Sequence, residues 1–134
     1  MKLAPISPIV GRQDRYERLR RDRAAAVALR EMYPAVIKLR LDLLFQRSAS
    51  NNPAPQSHTL HAPAQAFFEF PCPYADCDGH FDLRAAVTTA VSDTSGRAAG
   101  ELECSGNRAV RGGHKERCQL LLGYVVTATF EAGI

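Results

Sequence analysis

Four cysteines, Cys72, Cys77, Cys104 and Cys118, are the residues of this 134-residue chain whose type and spacing point most directly to chemistry. They come as two pairs: Cys72-Pro73-Tyr74-Ala75-Asp76-Cys77 reads C-x4-C, Cys104 to Cys118 reads C-x13-C, and 26 residues separate the pairs. Thiolates are soft ligands, and four of them satisfy the tetrahedral preference of zinc without redox chemistry. The expectation is one structural zinc ion held by all four. The opening stretch, MKLAPISPIVGRQDR, has no long apolar run of the kind that exports a chain, and no window approaches a membrane span. A cytoplasmic location follows as an expectation, and there paired cysteines serve as metal ligands more often than as disulfides. Ordinary buried cysteines and disulfides are the competing readings. Two histidines compete for a ligand place, because His80 follows Cys77 by three residues and His114 precedes Cys118 by four. The all-cysteine site is preferred, since each thiol falls near an expected strand end while His80 sits just before Phe81 in a returning strand.

The same residues argue against a reaction centre. Catalytic zinc keeps an open position and draws on histidine or carboxylate ligands. Neither H-E-x2-H nor the H-x-E with P-C-x2-C pattern of deaminases occurs. A five-residue step from Cys72 to Cys77 is not a C-x2-C redox centre, and Gly112-Gly113 alone does not make a phosphate loop. A nucleophile pair of Cys77 and His80 remains open, with nothing else in the sequence calling for it. A non-enzymatic role is expected.

Positioning these ligands requires strands. Residues 1–11, with Pro5, Pro8 and Gly11, read as an extended flexible arm. From Arg12 to Tyr33 the recurrence of Tyr16, Leu19, Ala26, Leu29 and Tyr33 predicts a helix that Pro34 ends. Val36 to Leu43 then alternates, with Ile37, Leu39, Leu41 and Leu43 on one face and Lys38, Arg40 and Asp42 on the other. That is strand periodicity, with a continued helix as its competitor. Residues 47–57, RSASNNPAPQS, form a polar connector. Strands are expected at Ala64 to Phe70 leading into Cys72, at Phe81 to Leu83, at Gly100 to Glu103 leading into Cys104, and at Gln119 to Phe130 leaving Cys118. Leu83 to Val91 suits helix or strand, and Asp82 as a possible N-cap tips it to helix. The organisation predicted is an arm (1–11), a helix with a first strand (12–47), a connector (48–57) and a zinc-bearing β domain (58–134). The fold class is α+β: an N-terminal helix plus a small antiparallel β-sheet organised around a structural zinc site.

On Cys72-Pro73, Cys77, Gly79, Cys104, Gly106 and Cys118, residues 66–130 resemble a zinc ribbon, in which two cysteine-bearing turns at hairpin tips clasp one ion. Both spacings depart from the family's usual C-x2-C. The resemblance implies a hairpin fold and one Zn2+; zinc ribbons often bind nucleic acid. Charge complicates that last step. Residues 1–47 carry 11 basic and 5 acidic side chains, a net +6, while residues 48–134 carry 6 and 9, a net −3. The zinc-bearing part is therefore the acidic part. Two functions stand against each other: a protein-interaction or assembly module, acting on a protein partner or by self-association, and a nucleic-acid-binding protein. The second would use Arg12, Arg15, Arg18, Arg20, Arg21 and Arg23 on the helix with Arg108 and Arg111 in the second cysteine loop. Asp14, Glu17 and Asp22 on the same helix weigh against it, and the interaction module is preferred.

Overall fold

The computed structural model describes residues 8–47, 52–109 and 115–131. The arm as far as residue 7, and Arg111 and His114 within 110–114, lie outside the described residues, as does the side chain of Arg12.

Helix α1 runs Pro8–Ala25 and buries Leu19, so residues 8–11, expected in the extended arm, instead form its first turn, with Pro8 at a helix start where its missing N–H costs nothing. The apolar phase of Leu29 and Tyr33 predicted a helix unbroken to Tyr33, yet the chain leaves the helix after Ala25. Its next backbone groups are taken by a distant segment. Leu29 N–H donates to Ala64 C=O (2.7 Å), Arg30 N–H to Ala62 C=O (2.9 Å), and Ala66 N–H to Val27 C=O (2.7 Å). These tertiary hydrogen bonds override helical propensity, and only a single turn, α2 (Leu29–Met32), follows. The same bonds shorten the expected 64–70 strand to β3 (Glu69–Pro71).

Strand β1 (Val36–Gln46) is the alternating segment. It departs from the expected pattern at its start. A register shift between Val36 and Lys38 turns Val36 inward, so Ile37 is exposed rather than buried. Four antiparallel strands form the main sheet in the order β2-β1-β8-β5, with β2 at Gln56–His61, β5 at Arg97–Glu103 and β8 at Leu121–Phe130. β2 was not expected from its sequence, QSHTLH.

One face of this sheet is dry. Leu39, Leu41, Leu43 and Phe45 of β1 and Leu122, Val126 and Ala128 of β8 are buried against Leu83, Phe68 and helix α3 (Arg84–Ser92), which contributes Ala86, Val87 and Ala90. Each fully buried Leu or Phe contributes roughly 1.5–3 kcal/mol. The expected helix is thus present, beginning at Arg84 with Leu83 rather than Asp82 at the N-cap; Asp82 Oδ1 accepts from Arg84 N–H at 3.0 Å just ahead of it. After α3 the chain turns at Gly96 (φ 68°), where a Cβ would press on the Ala128 carbonyl.

Two further hairpins are separate from that sheet: β3 with β4 (His80–Asp82), and β6 (Asn107–Ala109) with β7 (Lys115–Arg117). Cys72 and Cys77 belong to the β3–β4 hairpin, whereas Cys104 directly follows β5 and Cys118 stands just before β8, where the main sheet opens into the β6–β7 hairpin, as expected. The chain is correspondingly richer in strands than the sequence implied. Phe81 of β4 joins the layers by packing on Phe45, with ring centroids 6.0 Å apart.

Candidate metal centre

One local device occurs twice. In the first loop, Cys72 leaves β3 and its N–H donates to Gly79 C=O (3.0 Å), while Gly79 N–H donates to Cys77 Sγ (3.3 Å). In the second, Cys118 N–H donates to Gly106 C=O (3.0 Å), while Gly106 N–H donates to Cys104 Sγ (3.4 Å). Each unit is therefore a Cys-x-Gly turn whose glycine faces the other cysteine of its pair across a hairpin. The turns are pressed together. A Cβ on Gly79 would land on Cys104 Sγ, and one on Gly106 would land on the Gly79 backbone. Asp78 stitches them, because its N–H donates to Asn107 C=O (3.2 Å) and its Oδ1 accepts from Asn107 N–H (2.7 Å). After Cys118 the chain passes through Gln119 with φ 56°, and Leu120 C=O accepts from Cys104 N–H at 2.8 Å.

The four sulfurs converge, all lying within 4.8 Å of one another, and all four cysteines are buried. Cys72 Sγ and Cys118 Sγ are 3.7 Å apart, as are Cys77 Sγ and Cys104 Sγ. A tetrahedron with metal–sulfur bonds of about 2.3 Å has edges of about 3.8 Å, so the donor set fits a tetrahedral metal ion. The four thiols also perturb one another. Hydrogen bonds from Cys104, Cys72 and Cys77 hold the Cys118 thiol below its ordinary range, and Cys104 does the same for Cys77. Cys72 is pushed up by Cys104, its other thiol neighbours and burial, and Cys104 by Cys118 first. Four thiolates this close repel; a central divalent cation removes the conflict.

His80 is engaged elsewhere. Its Nδ1 accepts from the Arg15 guanidinium (2.8 Å), and its Nε2 lies 3.2 Å from Glu69 Oε1. Burial, then Arg15, lowers its pKa against the pull of Glu69. Among the described residues the metal-competent group at this position contains only the four cysteines. Beside it, Arg108 lies 3.9 Å over the Tyr74 ring, donates to Asp76 (3.0 Å) and feels the charge of Cys118. Arg108 was among the loop cations expected to offset the thiolate charge, but its contacts with Tyr74 and Asp76, and the facing of the two glycines, were missed in the sequence. The repeated Cys-x-Gly at 77–79 and 104–106 was the available signal.

The arginines of α1 are not gathered into one open face. Arg15 meets His80, Arg18 pairs with Asp22 (2.8 Å) and Glu69 (3.6 Å), Arg20 pairs with Glu17 (2.9 Å), and Arg23 stacks over Phe67 at 5.3 Å. Arg21 is exposed. No helix among the described residues is long and apolar enough to cross a membrane.

Comparison with known proteins finds no family model, curated protein or solved structure that matches this chain. The cysteine geometry is compatible with a zinc-ribbon-like centre and rests on the residues alone.

Proposed function

We propose that the protein is a non-enzymatic interaction or assembly module whose two cysteine hairpins are clamped by a single structural zinc ion. The observation that carries this reading is a donor set of four buried thiols with tetrahedral spacing, each pair braced by its own glycine N–H. Thiolate-only sites of this closed kind leave no position for substrate or water and contribute folding energy. Zinc, tetrahedral in structural sites and with a strong affinity for thiolate, suits the site best among divalent ions.

Protein rather than nucleic acid is the favoured partner class, because four of the helix arginines already hold α1 together or against the hairpin and Phe67. Metal analysis of the purified chain is expected to give about one zinc, with all four thiols unreactive until a strong chelator is added. Folded protein without metal overturns the reading. Fluorescence anisotropy with RNA, single-stranded and duplex DNA is expected to show only weak, salt-labile association. Tight binding with a steep salt slope would replace the partner class.

A further inference from the structure

Among the described residues nothing covers the outer face of the main sheet, and its composition is unusual for a solvated face. Antiparallel sheets commonly turn polar side chains outward. Here the outward positions carry Leu44 (48% exposed) and Leu121 (39% exposed), with Val125 and Ala99 beside them. Leu44 lies opposite Gly123, and Val125 lies between Asp42 and Ala99, so these residues form one patch across β1, β8 and β5. Leu44, Val125 and Ala99, with Asp42, Pro55 and Ser57, line a trough of about 700 Å³. Charge is sorted along the strands. Lys38, Arg40 and Arg97 stand at one end of the face, with Arg40 paired to Asp42 (3.1 Å), and Glu101 and Glu103 at the other. Among the described residues neither Arg97, Glu101 nor Glu103 has an ion-pair partner.

We propose that this face is a self-association surface, on which a second copy of the chain docks face to face with its strands reversed. A two-fold axis in the plane of the sheet and perpendicular to the strands lays β5 over its counterpart. It brings Arg97 of each copy to the Glu101–Glu103 end of the other, with the apolar patch between them. An axis along the strands would stack like charge on like, so charge selects the first arrangement. This deepens the assembly-module reading, on which it rests, by naming the partner. With strands about 4.8 Å apart and about 3.4 Å per residue, the face projects roughly 500 Å² per copy. That is at the low end of specific interfaces, and the dimer is accordingly a reversible one.

Sedimentation velocity of the metal-loaded full chain over about 1–500 μM tests it. The expected result is a monomer–dimer equilibrium that weakens as salt is raised. Leu44→Asp is expected to raise the dissociation constant by about tenfold or more. Arg97→Glu leaves only negative charge along β5, and the double variant E101K/E103K leaves only positive. Each alone is expected to stay monomeric over that range, and an equimolar mixture of the two to recover the dimer. A wild-type chain that remains monomeric throughout, or a mixture that fails to associate, overturns the proposal. Zinc content and thermal midpoint, measured on the same samples, report on the metal reading separately, so failure of the surface and failure of the metal site are distinguishable.

Discussion

Gly79 and Gly106 are the residues on which the centre turns, because each lies against the other's backbone where no side chain fits. Gly79→Ala and Gly106→Ala are each expected to lower stability by about 1–3 kcal/mol and to release zinc at lower chelator concentration. Gly123→Ala is the control: its Cβ would meet Leu44 O at 3.7 Å, an ordinary contact, and zinc retention should not change. Titration with a chromogenic chelator alongside thermal melts checks all three. Arg108 offers a second test, since its guanidinium sits between Tyr74, Asp76 and the charge of Cys118. Loss of a residue that supports ligands from outside the coordination shell typically costs 10–100-fold in metal affinity, and Arg108→Ala is expected to fall within about that range. Arg108→Lys should recover little, because an ammonium cannot lie flat on Tyr74 while donating to Asp76. Gln119, held at φ 56°, should gain stability on replacement by glycine, by a few tenths to about 1 kcal/mol, as a rise in thermal midpoint would show.

At the scale of elements, edge strand β2 holds His58, whose ring stacks on Phe70 with centroids 4.6 Å apart. Burial, and then the Arg23 charge, lower its pKa from 6.5. The folded state therefore disfavours the protonated ring, and the unfolded chain takes up the proton more readily. That contribution to stability is fully present above about pH 6.5 and fades as pH falls toward the lowered value. Melts of zinc-saturated protein from neutral to mildly acidic pH should show the decline, and His58→Phe, which keeps a ring on Phe70, should flatten it relative to the wild type. β2 also shows what could be read beforehand. β1 was legible because an inner strand with one dry face must alternate; β2 was not, because of its inward positions Gln56, His58 and Leu60 only the last is aliphatic, and its pairing with β1 supplies the rest. The overlong helix failed for a related reason: periodicity records which side chains suit a core, not that the backbone of 27–30 is committed to residues 62–66. Cysteine spacing, by contrast, carried the metal centre, since ligand chemistry restricts which residues can converge. The engagement of Arg15 and Arg18 by His80 and Glu69 joins positions more than 50 residues apart, beyond the reach of any local pattern.

For the whole molecule, the metal hairpins and the sheet share one core, as Phe45 with Phe81 and the burial of all four cysteines show. Chelation is therefore expected to unfold the chain in a single transition rather than to loosen the hairpins alone. Circular dichroism and intrinsic tyrosine fluorescence, followed together against chelator, should report coincident midpoints. The sheet order β2-β1-β8-β5 also bears on how the chain is made. β1 is complete at Gln46, but the neighbour on its other side, β8, begins only at Leu121, some 75 residues later. At about 5–20 residues per second, a ribosome leaves one edge of that leucine-rich strand without its partner for roughly 4–15 s. During nascent synthesis β2 can shield only the opposite edge, so the interval before β8 emerges is when this protein most needs a chaperone's cover.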